Sequence, residues 1–284
     1  MKNGFLLLIF VLLAGSFSMN TANAQVILGL PYVKIHTENR KPVPYQYVRE
    51  ADVMWSKIIY RQLELSEKMN HHFYFPIKPM DGRFSLIDLL LEGVHTQGLT
   101  AYWENGMDEF GTILTEKEVH EKMGAKQTVM EVETLEGGTE TKTIDVPYNS
   151  TEVKRYLLKE LWFFDKQRSV MEVRIIGICP IRVFYRDEDQ DQERPIQQKA
   201  FWIYYPEARK LLASSEVFNE KNDALRLTFE DVFQKRFFAS FIFAESNVYN
   251  NRLISEYTMG LESLLEAERI KENIFNFEQD LWEY

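Results

Sequence analysis

Cysteine is nearly absent: Cys179 is the single one in 284 residues. That excludes an intramolecular disulfide and any thiolate zinc site, since both need more than one thiol. The chain is long enough to bury a core without disulfides. Cys179 sits in an apolar strand pattern, so a buried structural thiol is expected. Histidine is scarce too. His71 and His72 are neighbours and do not converge on one ion, His95 and His120 stand alone, and no His-Glu-x-x-His pattern occurs. No metal site and no cofactor are expected. There is no Gly-rich phosphate loop, no Gly-x-Ser-x-Gly elbow and no Cys-protease signature. Long apolar runs are missing after the first residues, so no segment beyond them is suited to enter a membrane.

The one apolar run is Phe5 to Ala14, after Lys2 and before Ala22-Asn23-Ala24-Gln25. Spanning a bilayer takes roughly 20 apolar residues, and this run is shorter. A positive end, a short apolar stretch and a small-x-small site make a secretory signal peptide over residues 1–24, cut between Ala24 and Gln25. No Cys follows the run, so the signal is not a lipoprotein one. Cleavage removes only Lys2 among charged residues, and the net charge of −10 becomes −11. An acidic exported chain is poorly suited to hold nucleic acid or an anionic membrane by bulk charge.

Residues 25–46 carry Pro31, Pro42 and Pro44 without periodicity and read as an extended arm or linker. Residues 47–284 read as one globular domain, with a candidate subdivision near 125–150. The spacing of Val53, Met54, Ile58, Ile59 and Leu63 predicts a long helix over 49–69. Further helices are expected over 84–95, over 116–123 with a Thr115/Glu118 capping box, and over 152–158 capped by Ser150. Two alternating runs flanking Gly137-Gly138 predict a hairpin over 127–146. Residues 160–165, 170–185 and 199–205 are rich in aromatic and β-branched residues and predict an antiparallel meander. Pro180 should break the longest strand. Helices are expected again over 207–213, over 229–243 with Thr228 as cap, and over 259–268. The fold class is α+β: a central antiparallel β-sheet meander flanked by N-terminal and C-terminal helices.

Asp187, Asp189 and Asp191 have the spacing of the first ligands of a calcium loop, but Gln192 and Gln198 stand where Gly and Glu belong. A solvated hairpin loop is the expectation. What the chain has in excess is aromatic residues: 20 Phe, 14 Tyr and 5 Trp. The strand patterns are apolar on both faces and must be covered on both. The chain's own helices can do this, and a partner can do part of it. Tyr45, Tyr47, Trp162, Phe164, Phe237 and Phe238 are the candidates for partner contact. Two other classes compete with an interaction protein. An exported hydrolase needs an acid pair converging in a pocket, and a carbohydrate-binding module needs rings on an open face.

Two blocks carry a family resemblance. One runs from Tyr45-Gln46-Tyr47-Val48-Arg49-Glu50 to His71. The other runs from Leu161-Trp162-Phe163-Phe164-Asp165 to Cys179-Pro180. Phe201 to Leu212 and Phe229 to Tyr249 agree with them. The chain resembles the GldN/PorN family, gliding-motility and type IX secretion proteins of the Bacteroidetes. The resemblance covers roughly residues 40–257. It implies a non-enzymatic periplasmic subunit that self-associates in a ring with the outer-membrane lipoprotein GldK/PorK and is linked to the motor subunit GldM/PorM. No catalytic residue is implied.

Overall fold

The computed structural model describes residues 39–281, apart from Asp81, Met107, 134–138, 186–194, 220, 221 and 223. For 127–133 and 139–146 it describes the backbone alone. The signal peptide, its cleavage site and the Asp187–Asp191 loop lie outside the described residues.

The architecture is α+β. An eight-stranded antiparallel sheet runs β10-β1-β6-β7-β9-β2-β3, with β8 also paired to β7. Its long centre is β1 (Val53–Glu64), β6 (Val153–Asp165) and β7 (Val170–Phe184). The shorter strands are β2 (Ala101–Asn105), β3 (Asp108–Leu114), β8 (Ile196–Lys199), β9 (Trp202–Tyr204) and β10 (Phe241–Glu245). A separate hairpin pairs β4 (Lys126–Glu133) with β5 (Thr139–Val146), where it is expected. The helices are α1 (His71–Tyr74), α2 (Leu86–Thr96), α3 (Glu116–Lys122), α4 (Tyr205–Ser214), α5 (Phe229–Gln234), α6 (Ile254–Tyr257) and α7 (Leu261–Asp280). No helix among the described residues is long and apolar enough to cross a membrane.

Several expectations need correction. The helix over 49–69 is strand β1. It is paired from Val53↔Asp165 to Glu64↔Arg155 with β6, and with β10 on its other side. A strand covered on both faces loses its period of two, and the remaining apolar spacing imitates a helix. Long-range pairing of β-branched and aromatic residues decides the outcome. The helix over 152–158 is the start of β6, preceded by one 3-10 turn, Ser150–Glu152. Asn149, not Ser150, caps that turn, its Oδ1 accepting the Thr151 N–H at 3.2 Å. The helix over 229–243 stops at Gln234 and the chain returns to strand in β10. The last helix runs on to Asp280.

Pro180 does not break β7. Its carbonyl accepts the Ala200 N–H at 3.0 Å. Both backbone groups of a strand residue point to one side, so the missing donor falls in the gap between β8 and β9. The partner strand is interrupted instead. The capping boxes at Thr115/Glu118 and Thr228/Asp231 are formed.

Successive residues Leu157 and Leu158 are both buried, so the sheet is covered on both faces. On one face, Leu63, Tyr156, Leu158 and Ile178 pack with Phe73 of α1, Leu90 of α2, Leu212 of α4 and Phe233 of α5. Further along, Ile59 and Ile242 pack with Ile254 of α6 and Ile270 and Ile274 of α7. On the other face, Leu157, Cys179 and Trp202 meet Phe110 of β3 and Phe243. Cys179 is fully buried, and burial pushes its thiol up to about 12. It is the inert core thiol expected.

Candidate interaction surfaces

The arm is visible from Asn39, and over 39–48 it lies on its own chain. Arg40 pairs with Asp231 at 2.6 Å. The Val43 carbonyl accepts Arg209 Nη2 at 2.6 Å. The Tyr45 ring lies 3.9 Å from the Arg209 guanidinium and 5.0 Å from that of Arg174. Its hydroxyl accepts the Gln234 Nε2–H at 3.3 Å. Arg174 then donates to the Gln46 carbonyl at 2.7 Å. Behind this strap is a buried network. Arg209 Nε meets Glu230 Oε1 at 2.7 Å, and the Tyr205 hydroxyl donates to Glu230 Oε2 at 2.6 Å. Tyr45 is therefore an internal clasp, while Tyr47, two residues on, is 85% exposed.

The other candidates divide the same way. Phe164 and Phe238 are core residues at 6% and 7% exposure. Trp162 is half-buried beside the α7 cluster, its Nε1–H donated to Glu160 at 3.0 Å. Phe237 is 48% exposed. The opposite fates of Phe237 and Phe238 come from one turn. α5 ends at Gln234, and Arg236 takes the left-handed region at φ 54°. The Phe237 N–H closes back on the Val232 carbonyl at 2.9 Å. A non-glycine residue in that region is strained. What holds it is Arg236 Nη2, placed 3.0 and 3.2 Å from the two oxygens of the fully buried Glu160.

Phe237 stands at the rim of an apolar groove of about 590 Å³. Met69, Phe75, Val217, Phe218, Leu227 and Val232 supply its apolar lining. Beside the groove, Asn70 ties the end of β1 to the residues just before β10. Its side chain donates to the Glu64 and Ala239 carbonyls at 2.8 Å each and accepts the Ala239 N–H at 2.9 Å. Lys68, His71 and His72 line the groove, and no described carboxylate does. Burial pulls the His72 pKa down to about 4, so this imidazole is neutral near pH 7.

A second cavity, about 480 Å³, opens on the opposite sheet face and is lined by Glu104 and Glu109. Each of these acids is tied to its own lysine. Lys199 meets Glu104 at 2.7 Å, and Lys159 pairs with Glu109, which also accepts the Tyr60 hydroxyl at 2.8 Å. These ties fasten the β2–β3 hairpin to β1, β6 and β8. His95 and His120, which look solitary in the sequence, both meet Glu116. No group of three potential metal ligands occurs among the described residues. None of the four described tryptophans is exposed, so they offer no open platform of indole rings.

The deciding comparison is the match of residues 48–283 to the family described as gliding motility associated protein GldN. The chain belongs to the GldN family. The match spans β1 through α7, so groove and sheet fall inside it, while the arm residues 40–46 precede it. No curated protein matches the chain. The family places the protein in gliding motility.

Proposed function

We propose that this GldN-family chain is a non-enzymatic structural subunit of the type IX secretion and gliding machinery. It works in the periplasm and self-associates in a ring. The outer-membrane lipoprotein GldK/PorK holds it at the membrane, and it is linked to the motor subunit GldM/PorM. The observation that carries the reading is the family match over residues 48–283. Three features support it. The signal-peptide pattern of residues 1–24 supports export. Glu104 and Glu109, in the cavity on the opposite sheet face, serve as ties between strands. The exposed apolar side chains are those of an assembling protein.

Co-purification from cells that also express the tagged lipoprotein tests this. The expected result is a stoichiometric complex that electron microscopy resolves as rings, with the mature chain starting at Gln25 by mass spectrometry. A monomer that ignores the lipoprotein would refute the reading.

A further inference from the structure

Among the described residues, two apolar surfaces of opposite charge are left uncovered. The first is the groove beside α5, with Met69, Phe75, Phe218 and Phe237 partly exposed around it. Its charged lining is cationic: Lys68, with Lys235 at the adjoining turn, while Arg236 there is taken up by Glu160. In a chain of net charge −10 this is a local reversal. The second is the start of α7. Leu261, Leu264 and Leu265 are spaced i, i+3, i+4 and fall on one stripe. They are 71%, 57% and 61% exposed, although helix residues Ala267, Ile270 and Ile274 are buried against the sheet. Residues 256–268 hold four glutamates and no Lys, Arg or His; Glu266 and Glu268 pair with Arg269 and Lys271 of the same helix, which leaves Glu256 and Glu262 for a partner.

We propose that the α7 stripe of one copy docks in the Phe237 groove of the next, a head-to-tail contact between two copies of this chain. The fit is that of an amphipathic helix in an apolar groove, anchored at i, i+3 and i+4. Acid on the helix meets base on the groove, which fixes the pairing and disfavours groove-on-groove contact. Because the two surfaces differ, the contact is heterologous, and repeating it generates a ring or a filament rather than a closed dimer. The proposal names the surface behind the self-association proposed above and rests on that reading for its setting.

The test uses the full chain carrying Phe237→Cys and Leu265→Cys together, treated with a short bifunctional maleimide. Cys179 is buried and serves as the unreactive background. The expected result is a ladder of covalent dimers, trimers and longer species, while each single variant stays monomeric. Monomers alone from the double variant, or dimers from either single variant, would overturn the proposal. Mixing Phe237→Glu with Leu265→Lys gives a second readout by sedimentation. Each variant keeps one sound surface, so dimers and nothing longer are expected, and monomers would overturn the contact. Binding of the GldK/PorK lipoprotein is measured alongside. A double-cysteine chain that stays monomeric but binds the lipoprotein sinks this contact alone. A ladder without lipoprotein binding sinks the proposed function and leaves the contact standing.

Discussion

Arg209→Ala should be the most costly single change near the arm. Arg209 and Glu230 are each under a tenth exposed, and their side chains meet at 2.7 Å. Removing the arginine leaves a buried carboxylate with only the Tyr205 hydroxyl, at 2.6 Å. Breaking a buried pair from one side costs about 3–5 kcal/mol, most of it the stranded charge. The change also removes the Val43 carbonyl's donor and the stacking on Tyr45. At roughly 2–4 °C per kcal/mol for a chain of this size, Tm should fall by about 10 °C. Urea unfolding supplies the free energy. Limited trypsin digestion supplies the location, because the Arg40–Lys41 bond should become cleavable before the core does. The double change Arg209→Met with Glu230→Leu should recover most of the loss, since replacing both partners by apolar groups is often near neutral. A loss below about 1 kcal/mol for Arg209→Ala, or no recovery in the double variant, would refute the buried-network argument.

His72 gives a pH signature. Its folded pKa is about 4 against 6.5 for the free side chain. The unfolded chain therefore takes up a proton near pH 6.5 that the folded chain refuses until about 4. Stability is full above about 6.5 and drains by about 2–3 kcal/mol as pH falls to 4. The stability difference between wild type and His72→Gln should shrink across that window, and parallel urea curves would reject the burial of His72. Phe238→Ala should cost about 3–5 kcal/mol as a core truncation, and Phe237→Ala under about 1. Equal losses in urea unfolding would mean the turn at Arg236 is misplaced. Arg236→Gly relieves the left-handed strain, worth about 1–2 kcal/mol. It also strands the fully buried Glu160, at about 3–5. A net destabilisation is expected, and adding Glu160→Gln should reverse much of it.

Local chemistry made much of the fold legible. The capping boxes at Thr115 and Thr228, the Gly137-Gly138 hairpin and the meander from β6 onward follow from side chains within a few residues of each other. What failed was non-local. β1 is a strand because β6 and β10 lie on either side of it, and β10 is nearly 180 residues away in the chain. The Phe229–Phe243 run reads as one apolar helix because the sequence does not show that Arg236 leaves it for Glu160, 76 residues upstream. The candidate contact residues shared that limit. Aromatic density marked Phe237 and Phe238 alike as contact candidates, and only the turn says which ring faces out. The groove around Phe237 had no local signal, since its lining comes from residues 68–75, 217–219, 227 and 232.

The same non-local contact links the fold to the proposed assembly. Glu160 sits at the centre of the sheet, fully buried, a costly place for a carboxylate. Arg236 offsets that cost by reaching in from a strained turn between the rings of Trp162 and Phe238, at 5.5 and 5.2 Å. An apolar pair at the two positions would stabilise the monomer at least as well. It would not hold the backbone at φ 54°, and without that turn Phe237 would not be pushed out while Phe238 is drawn in. The buried charge therefore makes better sense as a device for presenting one ring than as a source of stability. It is a feature expected of a chain whose work is done at its surface.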